Sequence, residues 1–156
     1  MPEPDLFDAA INAARRSPNQ LRKVGAVLLP ADGGAPIATC NTFPAGVADT
    51  AQRHLGDGRL IWMEHAERNA IYAAARSGRQ TDGATLASTY FPCTDCARAI
   101  VQAGIRRLVT LAPALDDPVW GASFGPSETM LREAGVQIDI VGHDPAEVQA
   151  ATMRPC

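Results

Sequence analysis

From residue 84 onward, short runs of branched apolar residues alternate strictly with helical stretches, and this alternation restricts the chain to few folds. "ATLAST" (84–89), "RRLVTLA" (106–112) and "VQIDIV" (136–141) read as strands. "CTDCARAIVQAG" and "SETMLREAG" read as helices between them, each ending on a glycine. Strands separated by helices pair in parallel and are covered by helices on both faces.

Ahead of this half, "DLFDAAINAARR" (5–16) predicts a helix that ends before Pro18. "KVGAVLL" and "IATC" flank the turn formers "PADGGAP" and predict an antiparallel hairpin. Residues 42–61 mix Pro, Gly and Asp without a period and predict a long surface loop, of the kind that lines or covers a site. A strongly helical run, "WMEHAERNAIYAAARSG", then ends at Gly78, and "DPAEVQAATM" predicts a short closing helix. The fold class that follows is α/β: a three-layer α/β/α sandwich with a mixed five-stranded sheet. At 156 residues the chain is expected to be one domain, 1–156.

The chain is 46% hydrophobic and 20% charged, as ordinary globular domains are. No stretch approaches the ~20 apolar residues of a membrane span, and "MPEPDLFDAA" lacks the regions of a signal peptide, so a cytoplasmic protein is expected. A net charge of -3 argues against a basic face for long nucleic acid and favours a small-molecule substrate.

His65 and Glu67 stand two positions apart at the start of a helix, about 200° apart around its axis, so they share no face. An acidic residue there also suits the helix dipole, which alone would explain it. Cys93 and Cys96 begin another helix as C-x-x-C, a pattern that serves a metal, a redox dithiol or plain burial. Both clusters fall where ligands sit in open α/β sheets, at the carboxyl ends of strands. The combination favours metal: one His and two Cys supply three zinc ligands and leave one tetrahedral position open, as catalytic sites do. One zinc ion per chain is expected, held by His65, Cys93 and Cys96, with Glu67 free to handle protons as the catalytic carboxylate.

"HAE" (65–67) and "PCTDC" (92–96) resemble the H-x-E and P-C-x-x-C elements of the zinc-dependent cytidine and deoxycytidylate deaminase superfamily. "KVGAVLL", "CNTFPAGVAD", "HAERNAI" and "YFPCTDCARAIVQAGIRRLV" are similar to its deoxycytidylate branch and together cover most of residues 20–110. Where that branch usually carries Gly-Tyr-Asn-Gly this chain reads "TCNT", which puts control by a deoxynucleotide triphosphate in doubt. The resemblance implies hydrolytic deamination of a cytosine-type nucleotide or nucleoside, a small-molecule partner and a homo-oligomer. Guanine, another aminated heterocycle and tRNA adenosine stand as alternative substrates, and a noncatalytic zinc-stabilised module as the reading from another class.

Asn41 is expected to line the substrate pocket near a sugar hydroxyl, although Asn in loops more often makes a local turn. Phe91, with Phe43 and Tyr90 behind it, is the candidate for stacking on a planar base, against an ordinary place in the core. Arg22 and Lys23 precede the first strand and are the cationic candidates for a monophosphate, against plain solvation. Cys40, Cys156, Trp62 and Trp120 are read as packing or terminal residues, although Trp120 lies in a segment able to reach a pocket.

Overall fold

The computed structural model describes residues 3–156, with side chains from Leu6 onward. Five strands form one mixed sheet in the order β2-β1-β3-β4-β5. These are β1 (Gly25–Leu29), β2 (Ile37–Cys40), β3 (Thr85–Ser88), β4 (Arg107–Thr110) and β5 (Gln137–Ile140). β1 pairs antiparallel with β2 and with β3, whereas β3, β4 and β5 run parallel. The hairpin and the parallel half therefore both follow the sequence pattern.

The period of two along the central strands builds two cores from one sheet. Ala26, Leu28, Leu86 and Leu108 point into a cluster with Ala66, Ala70, Ile100 and Leu131. The intervening Val27, Ala87 and Val109 point the other way, onto Leu6, Phe7, Ala10 and Val148. Helices α3 (Ala66–Arg76), α4 (Thr94–Gln102) and α5 (Gly121–Glu133) thus cover one face, and α1 (Glu3–Ala14) and α6 (Pro145–Thr152) the other. Each fully buried Leu or Phe here contributes about 1.5–3 kcal/mol by leaving water.

Three expectations need correction. The stretch 42–61 is not structureless: it contains a 3₁₀ turn, Ala51–His54, and the start of a short helix, α2 (Gly58–Trp62). An antiparallel bridge between Thr42 and Glu64, with both backbone bonds made, closes the stretch into a packed excursion. The helical run 62–78 is broken, because Met63 and His65 are extended, so Trp62 ends α2 and α3 begins at Ala66. Finally, α5 begins six residues before the expected Ser127 and carries Pro126 inside it. Gly125-Pro126 reads locally as a breaker, but burial of Phe124, Ser127 and Leu131 holds the helix through the missing N–H.

Candidate active site

Two helix starts and one strand end meet to form the site. His65 is the residue before α3 and Cys93 the residue before α4, both with extended backbone, which turns their side chains toward each other. His65 is fixed from behind, since Glu64 Oε1 accepts a hydrogen bond from the His65 amide (2.9 Å) and Thr39 Oγ1 donates to Ala66 O (2.8 Å). The Pro-Cys turn is pinned by α5: Ser127 Oγ donates to Pro92 O (2.7 Å), and the Thr94 amide donates to Ser123 Oγ (2.7 Å).

His65 Nδ1 lies 3.5 Å from Cys93 Sγ and 3.4 Å from Cys96 Sγ, and the three donor atoms all fall within 4.8 Å of one another. With Zn–S near 2.3 Å and Zn–N near 2.0 Å, the N···S edge of a tetrahedron is roughly 3.5 Å. The spacing therefore fits a zinc ion as well as it fits hydrogen bonds. No fourth His, Cys, Asp or Glu joins the group among the described residues.

Charge in the set suits a cation. The hydrogen bond from Cys96 drives the Cys93 pKa down to about 4, against burial and with help from His65. Cys96, hydrogen-bonded to Cys93 and itself buried, is raised well above the usual thiol value, and a metal bound there would displace a proton. Burial would lower His65, but its hydrogen bond with Cys93 and the charge of Glu67 outweigh it and raise the imidazole. Arg68 also faces the two sulfurs and is held by Glu64 at 2.5 Å. Sequence reasoning gave Arg68 no role, and its i,i+4 spacing from Glu64 was the available signal.

Glu67 is 4% exposed, and burial pushes its carboxyl above the usual range against the opposing charge of His65. Ser88, the last residue of β3, donates to Glu67 Oε1 at 3.2 Å. His65, Glu67 and Cys93 open onto one cleft, while Cys96 is fully buried behind it.

The other expected residues divide. Phe91 lines this cleft and packs edge-on against Phe124 at 5.8 Å. Asn41 lines it too, but its amide is partly committed: Oδ1 accepts from the Val24 amide (2.9 Å) and Nδ2 donates to Arg22 O (3.0 Å). Arg22 reaches the cleft with its charge paired to Asp117 Oδ2 at 2.7 Å and its guanidinium 4.8 Å over the Tyr90 ring. Phe43 and Lys23 are not brought to it. Phe43 packs edge-on against His54 in a separate hollow beside β2, and Lys23 Nζ donates to Arg15 O. Lys23 lies between the lining residues Arg22 and Val24, and Phe43 two positions after the lining Asn41, yet both side chains turn away from the cleft.

Trp120 proves to be a wall of the cleft, edge-on to His65 at 5.1 Å and 86°. Asp117 holds it there, since Oδ1 accepts from the Trp120 amide (2.9 Å) while Oδ2 takes Arg22. Arg59 and Leu60 of α2 form another wall. Neither carried a chemical motif, and only their place in an unusually long connection pointed to a site.

The profile of the cytidine and deoxycytidylate deaminase zinc-binding region matches residues 3–112. This chain belongs to that family. The deoxycytidylate deaminase of Enterobacteria phage T4 is 43% identical over 75 residues, which cover 47% of this chain and 35% of that enzyme. Human deoxycytidylate deaminase is 30% identical over 122 residues, covering 73% and 67%. The chain spans about a third of the length of the phage enzymes it matches. Among solved structures, the dCMP deaminase of cyanophage S-TIM5 superposes with a TM-score of 0.69 at 24% identity, over 89% of this chain and 96% of that one, which establishes the cytidine deaminase-like fold. The family's zinc-binding region and the His65, Cys93 and Cys96 cluster coincide.

Proposed function

We propose that this chain is a zinc-dependent hydrolytic deaminase of a cytosine-type nucleotide, with deoxycytidine monophosphate preferred and cytidine-type nucleosides next. The observation that carries this reading is a tetrahedrally spaced His and two-Cys donor set beside a buried carboxylate of raised pKa, both open to one cleft. The names of the phage and human relatives support the cytosine nucleotide.

His65, Cys93 and Cys96 would hold the ion, and bound zinc lowers the pKa of a coordinated water from about 15.7 toward about 7. Glu67 moves the protons: it takes one from the attacking water and delivers it to the ring nitrogen, then takes the proton of the added hydroxyl and delivers it to the amine, which leaves as ammonia while the carbonyl forms. A carboxyl pushed up by burial suits both halves of that exchange at neutral pH. Ser88 holds the carboxylate in place by donating to one oxygen. Phe91 and Trp120 supply apolar walls for a planar ring. Asn41 keeps a second amide hydrogen and a second lone pair for a sugar hydroxyl.

Ammonia release across cytosine, cytidine, deoxycytidine, their monophosphates, guanine and adenine tests the proposal. Deoxycytidine monophosphate is expected to give the highest kcat/KM and bare cytosine to be strongly rejected, because the polar walls would be left unpartnered. Comparable values for the two, or activity on guanine alone, would overturn the substrate. Absence of any turnover would overturn the enzyme.

The same reading includes one domain over 1–156, a cytoplasmic location and a homo-oligomer. One sheet with a core on each face supports the first. Free Cys93 and Cys96, which bind metal only when reduced, support the second, and no helix among the described residues is long and apolar enough to cross a membrane. The exposed apolar side chains of Leu60 and Ile61 on α2 support association.

A further inference from the structure

Two polar groups on the cleft have no partner among the described residues. The Arg59 guanidinium, on α2, makes no hydrogen bond or ion pair there, although it lines the cleft. Tyr90 lines the same cleft, and its hydroxyl is buried and likewise unpartnered. A buried hydroxyl left unpaired costs about 1–3 kcal/mol, which a ligand able to accept its hydrogen bond would remove.

The remaining cation of the cleft is differently placed. Arg22 is already neutralised by Asp117, whose side chain is 7% exposed and which also accepts from the backbone amides of Val119 and Trp120. That pair holds the segment before α5 against the Tyr90 ring, so an anion competing for Arg22 would have to disrupt it. Arg59 has no such commitment. Its helix is also ordered in advance: the guanidinium of Arg53 lies 3.9 Å over the Trp62 ring, and the backbone of Gly58 packs so closely on Arg53 that a Cβ would fall 2.1 Å from its carbonyl oxygen. Fixing this wall before a ligand arrives removes an entropic cost of binding.

We infer that Arg59 and the Tyr90 hydroxyl together bind the anionic substituent of the substrate, and that Arg22 is a positioning residue for this wall of the cleft rather than the phosphate contact. The inference rests on the cytosine-nucleotide reading above and names the residues that make the phosphate matter. Arg59 supplies the charge in a planar fork suited to phosphate oxygens, and Tyr90 donates one further hydrogen bond. Arg22, 4.8 Å over the face of the Tyr90 ring, fixes the position of that ring in the wall of the cleft.

The test compares deoxycytidine with its 5′-monophosphate on zinc-loaded wild type, Arg59→Gln and Tyr90→Phe. Wild type is expected to prefer the monophosphate. Arg59→Gln should lose about 10- to 100-fold in kcat/KM for the monophosphate, mostly through KM, with deoxycytidine changed less than about threefold. Tyr90→Phe should lose less and in the same direction. Arg22→Gln, which also releases Asp117 from the Trp120 wall, should weaken deoxycytidine as well as the monophosphate, and a loss confined to the monophosphate would make Arg22 the phosphate contact. Equal losses on both substrates in Arg59→Gln, or unchanged preference, would overturn the inference while the deaminase stands. So would a wild type that turns over deoxycytidine and ignores the monophosphate. A wild type inactive on every cytosine compound would overturn the function and this inference with it.

Discussion

The Ser88 hydroxyl donates to Glu67 Oε1 at 3.2 Å, joining the end of β3 to the first turn of α3 inside the protein. Both residues are buried, so the bond fixes which way the carboxylate faces. If Glu67 moves protons and does not ligate the metal, Glu67→Gln keeps the acceptor oxygen for Ser88, the fold and the zinc. It should lose about 10²- to 10⁴-fold in kcat, the range of general acid-base groups. Metal content by elemental analysis, measured alongside turnover, checks the assignment. Zinc lost from this variant would show that Glu67 is a ligand.

Cys93 and Cys96 both lie on Nδ1 of His65 at tetrahedral spacing. Protein purified without added metal should therefore carry about one equivalent of zinc per chain. Cys93→Ala should fall well below half an equivalent, because two donors remain where three are needed. Because the bound thiolates compete with protons, affinity should fall as the medium is acidified. Wild type with less than half an equivalent, or a Cys93→Ala protein with full zinc, would contradict the donor set.

Asp117 gives a pH prediction of definite sign. Burial would raise its carboxyl, but hydrogen bonds from the Trp120 amide, Arg22 and the Val119 amide, with the charge of Arg22, hold it below its ordinary value. A group depressed in the folded state stabilises the fold above its unfolded pKa, near 3.9, and stops doing so as pH falls through its folded value. The difference in Tm between wild type and Asp117→Asn should therefore be constant above about pH 5 and shrink on acidification below about pH 4. Effects of acid common to both proteins cancel in that difference. A difference independent of pH would mean that Asp117 acts through shape alone.

Legibility in the sequence followed the range of the interactions. Periodicity of two and alternation with helices are local, and they marked all five strands and the parallel half of the sheet. The His65, Cys93 and Cys96 cluster was legible because metal chemistry ties its members to short spacings at helix starts. Trp120, Arg59 and Ser88 were not. Each reaches the site through a tertiary relation: the Asp117 bonds to the Trp120 amide and Arg22, the Gly58 contact on Arg53, and the pairing that ends β3 beside α3. Phe43 shows the reverse case, since aromaticity near Asn41 suggested a base contact, while the turn after β2 directs it onto His54. Burial of one face likewise overrode the local Gly-Pro signal in α5.

Gly25 tests how tightly α1 is seated. It opens β1, and a Cβ there would lie 1.9 Å from Ala10 O and 2.6 Å from Ala14 N, both backbone atoms of the α1 region. A flexible side chain could give way, but a helix backbone cannot yield without moving as a unit. That unit carries Leu6, Phe7 and Ala10 into the core under β1, β3 and β4, so displacement would open the packing against Val27, Ala87 and Val109. Overpacking of this kind typically costs about 1–3 kcal/mol. Gly25→Ala should therefore lower the unfolding free energy by that amount, read as a lower denaturant midpoint, while leaving zinc content intact, since α3 and α4 lie on the opposite face. Gly142, with open space around it, is the control whose alanine variant should sit near wild type. Equal midpoints for the two variants would show that α1 is not packed against β1 as closely as described.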